Sequence, residues 1–188
     1  MQLYIWRHPR PKQSHGLCYG QSDIEVDRRK LKRLAHQILR FVRSNQLPRQ
    51  IWVSPLQRSK QVGQYLVAQG FECYIDDRLV ETDFGVWEGK PWSDIDKKEI
   101  DNWCEKFADF APVEGESLSQ LFARVEAWID LQKQMQAESD SEDKIVLVVG
   151  HAGWINTAKL ISNGKPVPTK PIHWPRAVEY NELTFLEF

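Results

Sequence analysis

The sequence predicts an α/β fold with a mostly parallel central sheet. Two observations carry this. Short apolar runs of strand character alternate with longer segments whose apolar residues recur at helical spacing. Strands separated by such helical stretches pair side by side through crossover connections, because a parallel pair cannot be joined by a tight turn. At 188 residues the chain is long enough to bury a real core, and with no internal repeat or linker it reads as one domain, 1–188.

Each element has a local cause. Leu3-Tyr4-Ile5-Trp6 is a buried strand that breaks at Arg7-His8, where Pro9 and Pro11 let the chain continue neither as strand nor as helix. Leu31, Leu34, Ala35, Ile38, Leu39 and Val42 share one face, which predicts an amphipathic helix over 28–45, with Pro48 marking its end. Ile51-Trp52-Val53 is a second strand, stopped by Ser54-Pro55. A helix over 56–69 follows and Gly70 terminates it. Phe71–Ile75 is a third strand. The stretch 76–116 is irregular, with a helix near 96–108. Ser117 and Gln120 form a capping-box pattern that starts a helix running to about residue 136. The acidic stretch AESDSEDK (137–144) is a surface loop. Ile145–Val149 is an apolar strand, 152–161 is helical, three prolines between 166 and 171 impose a loop, and Leu183–Phe188 is a last strand.

Composition narrows the function. A formal net charge of −1 supplies no overall basic field for nucleic acid. Three cysteines without a C-x-x-C pair give neither a disulfide framework nor a zinc knuckle, which fits the reducing cytoplasm. No apolar run approaches the roughly 20 residues that span a bilayer, and the apolar start is too short for a signal peptide. The expected partner is therefore a small molecule, with no nucleic acid and no membrane; oligomeric state is not indicated.

Ligands of parallel sheets sit beyond the carboxyl ends of the strands. One strand ends at Arg7-His8, another at Ser54 with Arg58 one turn later, and a third at Gly150-His151. If these strands are neighbours, two arginines and two histidines converge. Guanidiniums match phosphate oxygens with forked donors, and an imidazole can act as nucleophile. Two histidines could instead hold a metal, but the arginines would add charge to a cationic site and a third ligand is hard to place. The pattern indicates phosphoryl transfer through a histidine, without metal or other cofactor. An alkoxide leaving group then needs an acid. ETDFGVWEG (81–89) offers Glu81, Asp83 and Glu88, which spacing does not separate and which can equally be turn formers or caps.

RHP at 7–9, SPLQRSKQ at 54–61, ETDFGVWEG at 81–89, EGES at 114–117 and VGHAG at 149–153 stand in the order seen in the histidine phosphatase superfamily, also called phosphoglycerate mutase-like. The chain resembles that family over nearly its whole length. The resemblance implies a three-layer α/β/α fold. It makes His8 the phosphorylated nucleophile, Arg7, Arg58 and His151 the holders of the phosphoryl oxygens, and Glu81 the proton donor and later the base. Pro9 and Arg10 replace the Gly and Glu that usually follow Arg-His. An Asn that often contacts phosphate has no clear counterpart, and Ser14 lies near its position.

Within the family, GLCYGQSDIEV (16–26) is similar to α-ribazole phosphatases, which remove the 5′-phosphate of α-ribazole phosphate in cobalamin synthesis. On that resemblance Tyr19, Gly20 and Gln21 approach the substrate; a tight turn with a packed Tyr is the plainer alternative. Trp87, Trp92, Trp154 and Trp174 can stack on a flat heterocycle or fill the core. His15 and His173 can border the pocket, and His36 falls off the apolar stripe of its helix. A broad sugar or nucleotide phosphatase, a mutase-like enzyme and an inactive binding module are the other readings.

Overall fold

The computed structural model describes residues 1–138 and 144–188. Its strands are β1 (Gln2–Arg7), β2 (Gln50–Val53), β3 (Glu72–Ile75), β4 (Ile145–Gly150) and β5 (Leu183–Glu187). Its helices are α1 (Arg28–Ser44), α2 (Gln57–Val67), α3 (Lys97–Glu105), α4 (Leu118–Ala137) and α5 (Ala152–Ser162). The strands form one sheet in the order β3-β2-β4-β1-β5. The first four are parallel, and β5 runs antiparallel along the edge of β1.

The period-two alternation of the strands divides the core into two layers. Leu3, Ile5, Val146 and Val148 face Leu121, Val125, Trp128 and Ile129 of α4 and Trp154, Ile155 and Ala158 of α5. Trp6, Ile51, Val53, Leu147 and Val149 face Leu31, Leu34 and Ile38 of α1 and Val62 and Leu66 of α2. β4 is buried on both faces, so it reads as an unbroken apolar run. A third cluster, Cys18, Trp87 and Ile95 with Phe84, Ile100 and Trp103, supports the irregular 76–116 stretch.

Local signals behave as their chemistry requires. Asp27 caps α1 by accepting from the Arg29 amide. Ser117 and Gln120 form the reciprocal capping box of α4. α3 is shorter than the expected 96–108, because Lys106 leaves helical geometry at φ −110°, ψ 45°. β3 starts one residue later than expected, and β4 runs one residue longer, since Gly150 still pairs with Arg7. Of the acidic stretch 137–144, Ala137 closes α4, and 139–143 lie outside the described residues.

Register brings the strand ends level. Arg7 lies opposite Gly150, and Val53 lies opposite Val149. The His8 amide continues the ladder with a 3.0 Å bond to the Gly150 carbonyl. Above this edge the 16–26 loop meets the 81–88 loop at Gly20. A β-carbon there would lie 1.7 Å from the Thr82 carbonyl oxygen and 2.8 Å from a Glu88 carboxylate oxygen. Backbone cannot rotate away as a side chain can. Gly20→Ala is therefore expected to cost roughly 1–3 kcal/mol by overpacking. In calorimetry the melting temperature should fall by about 2–4 °C per kcal/mol for a chain of this size. An unchanged melting temperature would mean that the two loops separate freely.

Candidate active site

β1 delivers His8 to the sheet edge, where the ring is only 1% exposed and borders a cavity of about 390 Å³. Nδ1 lies 2.8 Å from the carbonyl oxygen of Pro9. A carbonyl only accepts, so Nδ1 carries the proton and Nε2 of the neutral ring keeps its lone pair. Burial, then the Arg58 cation and more weakly Arg7, hold the His8 pKa well below the usual imidazole range, against the opposing pull of the Pro9 hydrogen bond. The ring is thus neutral near pH 7, the form a nucleophile requires.

Two guanidiniums and a second imidazole stand near it. Arg58 is fully buried; Nη1 donates to the Ser22 carbonyl at 2.7 Å, Nη2 donates to the Gly20 carbonyl, and Nε has no partner. Arg7 donates through Nη1 to the Val178 carbonyl at 2.5 Å and lies 3.8 Å from the Tyr180 ring centroid, and its Nε is also unpaired. Among the described residues neither arginine forms an ion pair. His151 packs 5.1 Å from His8, centroid to centroid. Its Nε2 lies 2.7 Å from the Ser54 hydroxyl, and its buried Nδ1 has no partner. With Ser54 as donor, His151 presents Nδ1–H. Burial first, then Arg58, lowers its pKa well below the usual range. Buried polar groups without partners are costly. The unpaired Nε of each guanidinium and Nδ1 of His151, with no carboxylate at ion-pair distance from either arginine among the described residues, suit a compact anion.

The three acids of 81–89 separate clearly. Glu88 accepts from the amides of Gly20, Gln21, Ser22 and Phe84 and from the Ser22 hydroxyl, at 2.6–3.1 Å. Burial alone would raise its pKa, but the Ser22 hydroxyl and the amides outweigh it and hold the carboxyl below its ordinary value. Asp83 closes its own turn by accepting from the Gly85 amide at 2.8 Å. Glu81 borders the cavity. Its carboxylate accepts from the Gly153 and Trp154 amides at the start of α5, at 3.1 and 3.3 Å, and from the Thr82 amide at 3.0 Å. A β-carbon at Gly153 would come within 2.5 Å of that carboxylate and displace it.

Of the other expected contacts, Tyr19 borders the cavity, with its hydroxyl 2.7 Å from that of Tyr180. Ser14, Gly20 and Gln21 do not line it. Ser14 is buried and donates to the Pro11 carbonyl at 3.1 Å, which closes its own turn. Gly20 receives Arg58 and Glu88 on opposite sides, and the Gln21 side chain donates to the Glu81 carbonyl at 3.2 Å. Trp92 and Trp174 line the cavity, whereas Trp87 and Trp154 are core residues, 1% and 0% exposed. His15, His173 and His36 are exposed and lie off the cavity. Sequence reasoning missed Tyr180 and Trp103, both of which border it. Tyr180 precedes β5, and only the antiparallel pairing with β1 brings it beside Arg7.

Comparison with known proteins bears on the fold and the family. None of the curated proteins compared matches the chain by sequence. Among solved structures, the α-ribazole phosphatase of Shigella flexneri superposes with a TM-score of 0.80 at 20% identity, covering 100% of this chain and 90% of that one. A mycobacterial glucosyl-3-phosphoglycerate phosphatase, in complex with inorganic phosphate, superposes with a TM-score of 0.79 at 25% identity, covering 99% and 89%. Residues 3–185 match the sequence model of the histidine phosphatase superfamily (branch 1), and the chain belongs to that superfamily.

Proposed function

We propose that the protein is a phosphomonoesterase acting through a phosphohistidine, with α-ribazole 5′-phosphate as its substrate. The observation that carries the chemistry is the neutral His8, Nδ1–H bonded to Pro9, on a cavity that Arg7 also lines, with His151 packed against His8 and the unpaired nitrogens of Arg58 and His151 buried off the cavity wall. Nε2 attacks phosphorus while the ester P–O bond breaks, and Glu81 protonates the departing oxygen. The arginines and His151 Nδ1–H take the charge of the phosphoryl oxygens. The Pro9 carbonyl supports the positive ring of the phosphohistidine. In the second half Glu81 removes a proton from water, the water oxygen bonds to phosphorus, and the N–P electron pair returns to Nε2. A complete set of Arg7, His8, Arg58, Glu81 and His151 speaks against an inactive binding module.

The aromatic lining of the cavity supports the substrate reading. Phe84, Trp92, Trp103, Phe107 and Trp174 line it, and Trp92 and Trp103 lie nearly parallel at 9°. A flat benzimidazole finds aromatic faces there, while its ribose 5′-phosphate reaches His8. Among the described residues no group of three or more His, Cys, Asp or Glu could hold a metal ion.

His8→Ala is expected to abolish turnover and the acid-labile, base-stable phosphoenzyme; full activity in this variant would overturn the mechanism. Glu81→Gln should slow single-turnover phosphorylation of His8 by an alkyl phosphate roughly 10²–10⁴-fold, the usual worth of a general acid. The loss on p-nitrophenyl phosphate should be clearly smaller, because that leaving group departs unaided. Equal losses would remove Glu81 from the acid role. For the substrate, kcat/KM on α-ribazole 5′-phosphate should exceed that on ribose 5-phosphate, and Trp92→Ala should shrink the ratio. Comparable values on sugar, nucleotide and ribazole phosphates would establish a broad phosphatase instead.

A further inference from the structure

Glu116 borders the cavity, yet its carboxylate is already committed. Oε1 accepts from the Asp83 amide at 3.0 Å and from Nη2 of Arg124, and Oε2 accepts from Nε of Arg124 at 3.3 Å. Arg124 projects from α4 and turns its remaining donors on the opposite arm of the acid loop. Nη1 donates to the carbonyls of Arg78 and Val80, both at 2.8 Å, and Nη2 donates to the Glu81 carbonyl at 3.3 Å. The pair is largely shielded, with side chains 18% and 15% exposed. One guanidinium thus grips three carbonyls within four residues, and its partner carboxylate holds the amide of residue 83.

We infer that Arg124 and Glu116 are positioning residues for Glu81, fixing the backbone on both sides of it and hence the aim of its carboxyl group. The inference rests on the acid–base role proposed for Glu81. Its physical basis is the rigid fork of arginine. Five donors in one plane can hold several carbonyls at set angles, which a lysine ammonium on a flexible stem cannot. Proton transfer in turn demands close alignment, and a misplacement of about 1 Å from a remote change can cost on the order of 10²-fold. A merely structural ion pair would affect all substrates alike.

The test is a double-mutant cycle read by single-turnover phosphorylation of His8, on an alkyl phosphate and on p-nitrophenyl phosphate. Arg124→Lys should slow the alkyl phosphate roughly 10–10²-fold and p-nitrophenyl phosphate much less. In a Glu81→Gln background the same change should add almost nothing, because the group it positions is gone. Equal losses on the two substrates, or a full additional loss in the Glu81→Gln background, would overturn the inference while leaving Glu81 as acid. A Glu81→Gln variant that is itself unselective would instead overturn the acid reading, and this inference with it. Retained p-nitrophenyl phosphate phosphorylation confirms a folded site. If Arg124→Lys does not fold, Glu116→Gln, which releases the other arm, carries the same cycle with the same outcomes.

Discussion

A buried guanidinium with no carboxylate bonded to it organises this end of the molecule. Arg58 is fully enclosed, and its direct partners are the carbonyls of Gly20 and Ser22. Carbonyl dipoles only partly replace water around a cation, and burial lowers the Arg58 pKa accordingly. The loop must therefore turn those carbonyls inward, which sends its amides the other way. Glu88 collects the amides of Gly20, Gln21 and Ser22. The loop is thus an oriented layer of peptide dipoles between Glu88 and Arg58. That explains why residue 20 has no side chain and why Glu88, although in the acid loop, has no free oxygen for chemistry. Asp23 extends the same fixation by accepting from the Gln57 amide at the start of α2, one residue before Arg58.

Topology supplies the other half of the site. β4 enters the sheet between β2 and β1, although it follows both in sequence. Ser54 and His151 are 97 residues apart and share a 2.7 Å hydrogen bond. At such a reversal of strand order, loops diverge to opposite faces and leave a crevice. Here Arg7 and His8 reach that crevice from the end of β1. The unpaired nitrogens of Arg7, Arg58 and His151 are therefore held in place by sheet and core before any substrate arrives, so little reorganisation opposes charge development.

Much of this was legible in the sequence, and the limits have physical causes. The buried faces of α1 and α4 follow from helical periodicity, and Ser117 with Gln120 marks the start of α4 by a local hydrogen-bond exchange. Arg7, His8, Arg58 and His151 could be read because strand ends in a parallel sheet share one edge. What was not legible depends on which buried group satisfies which. Glu81, Asp83 and Glu88 are alike in sequence, and only the tertiary fold assigns one to α5, one to its own turn and one to the 20–22 loop. Ser14 stands near a phosphate-contacting position of its family, but Pro9 and Pro11 shape the turn so that its hydroxyl meets the Pro11 carbonyl. The four tryptophans singled out split evenly between core and cavity, a division that depends on packing around α3 and α5. Tyr180 needed the antiparallel placement of β5, for which an edge strand at the end of the chain gives no local sign.

Placing Glu81 beside a phosphate site raises an electrostatic problem, since two anions in one cavity repel. The fold meets it by giving each its own donors. In many α/β proteins a helix N-terminus binds the phosphate itself. Here two amides of the first turn of α5, those of Gly153 and Trp154, are turned on the Glu81 carboxylate. The unpaired nitrogens of Arg7, Arg58 and His151 are left for the oxygens of the proposed ester substrate. The division suits a two-step reaction. In the proposed mechanism the phosphoryl group would keep one set of donors as it moves from ester to His8 to water. The carboxyl, in the acid–base role proposed for it, would give and take a proton while held at a helix end. Because Gly153 bears no side chain, the carboxyl lies directly against the helix, and its distance from His8 is set by how α5 packs on the sheet. The same packing of Trp154 and Ile155 that stabilises the core therefore fixes the helix end on which the carboxyl rests, and with it the spacing that the proposed proton transfer would need.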